Sequence, residues 1–254
     1  MSALPILTYE RAGNGPPVVL VHGYLGASAH WSEQMERLSD TFEIIAIDLP
    51  GFGESAHLTA PNTIAGFAEH VLDTLSQMGV SEFNLLGHSM GGMIVQQMAL
   101  MAPGRITKLI CYGTGPVGLL PGRFEPIQRS RERLATEGVE ATARRIAATW
   151  FADYEDGPGF DLCARVGARA SLQAGLACLD AWESWNVEDR LSEITCPTLI
   201  VWGEMDRSYD RNQPQALKAG IPGAQLVTVP GCAHNVHMEA PDQFAGLVSD
   251  FLKV

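Results

Sequence analysis

The chain has 254 residues, 46% hydrophobic and 18% charged, a balance that can bury a sizeable core and excludes a disordered or low-complexity polypeptide. Its net charge of −12 argues against nucleic acid as a partner, because a phosphate backbone would be repelled unless the few basic residues gathered on one face. No apolar run approaches the roughly 20 residues that span a bilayer, so no membrane partner is expected.

In chain order, short apolar runs alternate with longer helical patterns, the mark of a mostly parallel, doubly wound α/β sheet. Residues 17–21 form the first predicted strand, closed by His22-Gly23. Trp31, Met35 and Leu38 then recur at helical spacing, and residues 42–49 give a second apolar run ending at Pro50-Gly51. Phe67, Val71, Leu75 and Met78 make an amphipathic stripe that stops at Gly79. Residues 83–86 form a buried strand that runs into Gly87-His88-Ser89, and residues 90–101 continue as an apolar helix before Pro103. Strands are predicted again at 106–112, 198–202 and 225–229. A last amphipathic helix carries Phe244, Leu247, Val248, Phe251 and Leu252. From about 117 to 194 the rhythm breaks, with no strand-like run, several tryptophans, and arginine and glutamate at helical spacing. The organisation expected is therefore a core of residues 1–116 and 195–254 with a helical insertion at 117–194.

The strongest chemical signal is Gly87-His88-Ser89-Met90-Gly91, a G-x-S-x-G that follows a strand and opens a helix, as a nucleophile elbow requires. A serine hydroxyl is a weak nucleophile until a base takes its proton. His234, in the loop after the last predicted strand, is the candidate base, with His237 as a nearby competitor. The loop falls at the C-terminal edge of the sheet, where open α/β sheets bind their ligands. The base in turn needs an acid to fix its tautomer and stabilise the imidazolium. Asp206, after the strand at 198–202, fits that position better than Glu204 or Asp210. Two backbone N–H groups must face the developing oxyanion. One is expected from Met90, and the other from the loop His22-Gly23-Tyr24-Leu25-Gly26, with Tyr24 the best fit.

These motifs together resemble the α/β-hydrolase superfamily over essentially the whole chain. His22-Gly23 with Trp31, the turn from Asp48 to Ser55, the serine elbow, Gly203-x-x-Asp206 and Gly231-x-x-His234 stand in that family's order. The resemblance implies an α/β-hydrolase fold in which 117–194 is a helical cap, and structural roles for Asp48 and the Gly51-to-Ser55 turn. The small esterases, enol-lactonases and C–C bond hydrolases are the most similar branch, many of them sharing the Ser89-Met90-Gly91-Gly92 elbow. Ring-fission C–C hydrolases usually carry asparagine where this chain has His88, and the menaquinone-pathway synthases carry arginine where it has Met93. Haloalkane dehalogenases, with aspartate in place of Ser89, are excluded. The expectation is a serine hydrolase cleaving a small ester or lactone through an acyl-enzyme. C–C hydrolysis is the alternative, together with cofactor-free oxygenase or perhydrolase chemistry on the same scaffold.

Other signals carry less. Residues 113–118 spell G-x-G-x-x-G, but Pro116 and the turn after it leave no helix to hold a dinucleotide, so the segment reads as a hinge into the insertion. Five scattered cysteines without CxxC spacing read as reduced thiols of a cytoplasmic protein. His234, His237 and Glu239 lack metal-ligand spacing, so neither metal nor cofactor is implied. In the insertion, Trp150, Trp182 and Trp185 are candidate pocket residues, and one arginine among Arg123, Arg129, Arg144, Arg145, Arg165 and Arg169 could hold a substrate carboxylate. Most of those arginines read as a solvated face. The partner expected is a small-molecule substrate.

Overall fold

Along β2 (Pro17–Val21) the side chains alternate between two hydrophobic clusters, Val18 and Leu20 entering one and Val19 and Val21 the other, all fully buried. Burial on both faces is what a central parallel strand requires, and it explains why the run is continuously apolar rather than alternating. The computed structural model describes residues 3–120 and 125–253. Six more strands join β2: β1 (Tyr9–Ala12), β3 (Glu43–Ile47), β4 (Phe83–His88), β5 (Ile106–Tyr112), β6 (Thr198–Gly203) and β7 (Gln225–Val229). They form one sheet in the order β1-β3-β2-β4-β5-β6-β7, parallel except for β1, which pairs antiparallel with β3. This is the α/β-hydrolase fold that the sequence led us to expect.

Helices cover both faces. Trp31, with Met35 and Leu38 of α1 (Ser32–Leu38), shares one cluster with Phe244, Val248 and Leu252 of α9 (Pro241–Lys253). Phe67, Val71 and Leu75 of α2 (Ile64–Gln77) join Ile94, Val95 and Met98 of α3 (Met90–Met101) in the other. Each such side chain contributes about 1.5–3 kcal/mol by leaving water. Thr63 caps α2 by accepting the Gly66 N–H at 3.0 Å.

β1 and α7 (Asn212–Gly220) escaped the sequence reading. β1 reads Tyr-Glu-Arg-Ala and lies at the sheet edge, where Arg11 pairs with Glu43 in solvent, so it has no apolar face to betray it. α7 buries only Gln213, Pro214 and Leu217, too few to set a helical period.

Between β5 and β6 the chain forms α4 (Ile127–Ala148), α5 (Phe160–Gly167) and α6 (Leu172–Glu183). Gly138, at φ 83°, breaks α4 in two. Entry and exit meet in a neck where Gly118 donates to the Trp185 carbonyl and Val187 to that of Pro116. The segment packs on loops that follow strands: Ser171 N–H donates to Gly51 O after β3, and the Tyr24 ring after β2 meets Trp182 edge-on at 5.0 Å. Its helices therefore lie over the C-terminal edge of the sheet. Among the described residues no helix is long and apolar enough to cross a membrane.

Candidate active site

Ser89 is the one residue between β4 and α3, and it holds φ 57° and ψ −119°. A non-glycine residue there costs about 1–3 kcal/mol and persists only where its surroundings enforce it. Here the Ser89 N–H donates to Tyr112 O at 2.9 Å. The Ser89 carbonyl accepts from Gly92 N at 2.9 Å and from the Thr114 hydroxyl at 2.8 Å. The flanking glycines answer to space: a Cβ on Gly87 would collide with the Gly91 carbonyl, and one on Gly91 with those of Val21 and His22.

His234 follows β7 and its side chain is fully enclosed. Its Nδ1 lies 2.8 Å from Oδ2 of Asp206, whose side chain is equally buried. Oδ1 of Asp206 accepts the backbone N–H groups of Ser208 at 2.7 Å and Tyr209 at 3.1 Å. With the carboxylate thus fixed, Nδ1 carries the proton and Nε2 is left as the basic nitrogen. The Tyr209 ring stacks on His234 at 5.7 Å with 12° between planes, and Trp150 lies 6.3 Å away.

The competing candidates are spent elsewhere. His237 is buried behind Tyr112, its Nδ1 3.0 Å from the tyrosine hydroxyl, and burial holds it well below the ordinary histidine pKa. Asp210 accepts the Asn212 N–H at 2.8 Å, and Glu204 is exposed. The Tyr112 hydroxyl, in turn, donates to the His234 carbonyl at 2.8 Å, and Nε2 of His88 donates to the same oxygen at 3.1 Å. His88 therefore stays neutral with its proton on Nε2, which agrees with a pKa driven well down by burial and by its histidine neighbours.

Met90 opens α3, so its N–H belongs to the first turn, which no intrahelical carbonyl reaches. Tyr24 sits in a tight turn closed by Gly26 N to Gly23 O at 3.1 Å, with buried Leu25 held at φ 55°. That loop touches the elbow, for a Cβ on Gly23 would stand 2.9 Å from the Ser89 Cβ. His22 anchors its start, Nε2 accepting from Leu49 N–H at 3.0 Å and Nδ1–H donating to Gly23 O at 2.7 Å. Asp48, fully buried, accepts from Ser28 and Glu54 N–H groups and so shapes the turn after β3.

Ser89 lines a cavity of about 60 Å³, counting only space that the centre of a water molecule can reach. Tyr24, Met93, Ile146, Trp150, Trp182 and Tyr209 form most of its wall. The structure thus brings Trp150 and Trp182 to Ser89, but not Trp185. That indole donates to Gln97 Oε1 at 3.3 Å and lines a separate groove with Val117 and Asn186, because the neck turns it away from the cavity. None of the described arginines lines the cavity; Arg129, Arg144, Arg145 and Arg169 pair with glutamates instead. Arg123 lies outside the described residues. Residues 113–118 lead from β5 into the neck without opening a helix.

Sequence reading missed Ser208, Tyr209, Met93 and Ile146 as cavity residues and Tyr112 as a support of His234. Two of these had a usable signal: Ser208 and Tyr209 stand two and three residues past Asp206, and a residue at that distance from a loop carboxylate commonly donates its N–H to it. Ile146, on α4, had none, since only the tertiary fold brings it over Ser89.

A sequence profile described as alpha/beta hydrolase fold matches residues 16–241. An Agrobacterium fabrum protein provisionally named the carbamate hydrolase RutD is 27% identical, over 93% of each chain. The pimeloyl-[acyl-carrier protein] methyl ester esterase of Nitrosomonas europaea is also 27% identical, over 92% of this chain and 95% of its own. Among solved structures, the enol-lactonase of Burkholderia xenovorans LB400 superposes with a TM-score of 0.90 at 25% identity, covering 98% of this chain and 96% of its own.

Proposed function

The chain belongs to the α/β-hydrolase fold family, and on that premise we propose that it hydrolyses small, uncharged carboxylic esters or lactones through an acyl-enzyme on Ser89. The observation that carries this reading is the buried His234–Asp206 pair, at 2.8 Å, set among the same aromatic walls that enclose Ser89. The similarity to a methyl ester esterase and to an enol-lactonase supports the choice of bond.

The Ser89 hydroxyl attacks the carbonyl carbon while Nε2 of His234 takes its proton, and Asp206 stabilises the imidazolium. The tetrahedral oxyanion accepts hydrogen bonds from the backbone N–H groups of Tyr24 and Met90. As the C–O bond breaks, the imidazolium protonates the leaving alkoxide. Water then attacks the acyl-enzyme with His234 as base, releasing the acid and restoring Ser89. Residues 117–194 act as a cap over this site, and residues 1–116 with 195–254 as the catalytic core.

Cavity chemistry narrows the substrate. No charged side chain among the described residues lines it, so none of them would offset the several kcal/mol that an acyl carboxylate loses with its water. The wall residues Met93, Ile146, Trp150 and Trp182 suit an acyl group without charge. The test is a panel of p-nitrophenyl esters from acetate to octanoate, small lactones, and hemisuccinate esters. The proposal requires turnover of the short neutral members that is lost in Ser89→Ala. Absence of turnover across the panel, or full turnover by Ser89→Ala, would overturn it.

A further inference from the structure

Glu239 ends the short helix α8 (Val236–Glu239), five residues past His234. Its two carboxylate oxygens serve two different parts of the chain. Oε2 accepts the N–H of Ala233, the residue before His234, at 2.7 Å, and Oε1 accepts the N–H of Ala152, in the segment after α4, also at 2.7 Å. Both are short, as hydrogen bonds to an ionised acceptor are.

The segment receiving Oε1 is the one that carries the Trp150 wall of the cavity. Its other inward peptide groups are taken by the same two core loops. Asn235 N–H donates to Trp150 O at 3.0 Å, and the Arg207 guanidinium donates to Phe151 O at 2.8 Å and Ala152 O at 3.1 Å. Arg207 directly follows Asp206 and Asn235 directly follows His234, so residues 150–152 are tied to the acid loop and the base loop at once. Among the described residues, Glu239 holds both sides with a single group.

We propose that Glu239 is a positioning residue that locks the Trp150 wall to the His234 loop, setting the distance between acyl pocket and general base. The proposal rests on the assignment of His234 as the base. Glutamine cannot replace it, because an amide offers one oxygen to two N–H donors and turns its NH2 toward the second. One buried N–H is then left without an acceptor.

The experiment is hydrogen exchange on wild type and Glu239→Gln, joined to steady-state kinetics normalised to sites titrated with a fluorophosphonate. We expect amide exchange at whichever of Ala152 and Ala233 loses its acceptor to rise by about 10- to 100-fold, the loss of a hydrogen bond to a charged group, with the rest of the sheet unchanged. Per titrated site, kcat/KM should fall and the preferred acyl length should change. Glu239→Asp keeps the charge but is one methylene short, and should loosen one of the two amides. It carries the same test if the glutamine variant does not fold. Unchanged exchange at both alanines, or unchanged kinetics and chain-length preference per titrated site, overturns the proposal. The exchange readout does not depend on ester turnover, so a wild type inactive on every ester would sink the proposed function and leave this result standing.

Discussion

Replacing Asp206 by asparagine tests the site's logic atom by atom. Oδ1 of Asp206 accepts two backbone N–H groups, from Ser208 at 2.7 Å and Tyr209 at 3.1 Å. An asparagine must keep its only oxygen there, since its NH2 would otherwise face two donors. The NH2 then takes the Oδ2 position, 2.8 Å from His234 Nδ1, and donates to it. Nδ1 becomes the acceptor, the proton moves to Nε2, and the histidine can no longer accept the Ser89 proton. In the chymotrypsin-like case the corresponding change costs about 10⁴ in kcat, or about 5.5 kcal/mol of transition-state stabilisation. The same order is expected here, because both side chains are fully enclosed and no water can restore the tautomer. The assay is kcat/KM on the best short ester, normalised to folded protein by circular dichroism. A loss smaller than tenfold would refute the argument that these two amides dictate the tautomer.

Further outcomes follow from the same geometry. Tyr112→Phe leaves Nδ1–H of His237 without its acceptor and removes one donor from the His234 carbonyl, so urea unfolding should show a loss of about 1–3 kcal/mol, with slower labelling of Ser89. Trp182→Phe should change acyl-length preference, whereas Trp185→Phe, in its separate groove, should leave it unaltered; equal effects would contradict the cavity assignment. Burial, reinforced by His22, pushes His30 down to about 3, so the folded state stays neutral where the unfolded chain takes a proton below about pH 6.5. Stability from this group is therefore complete above about pH 6.5 and declines as pH falls toward 3, by about 1.4 kcal/mol per unit. His30→Gln should flatten the acid limb of a urea-midpoint profile by that slope, and an unchanged slope would count against it.

What was legible in the sequence was whatever a repeating burial pattern or a backbone constraint writes into it. β2, β4 and β6 are buried and mostly apolar because both faces are covered, and the glycines two residues either side of Ser89 are forced by carbonyls less than one side chain away. His234 and Asp206 could be placed because each follows a recognisable strand. β1 was invisible because an edge strand with Glu10 and Arg11 in solvent has no pattern to read. Trp185 was misplaced because the direction a tryptophan faces in the insertion is decided by the neck between Val117 and Asn186, a contact across 69 residues of sequence. The work done by Glu239 was hidden for the same reason: its partner Ala152 lies 87 residues away.

If Ser89 is a nucleophile activated by His234, a fluorophosphonate probe should label it, and intact-mass spectrometry reads the adduct. One adduct per chain is expected, mapped to Ser89, absent in Ser89→Ala and formed at least about 10²-fold more slowly in His234→Ala, the usual scale of a general-base contribution. An adduct on another residue, or none on folded wild type under conditions that label an esterase control, would contradict it.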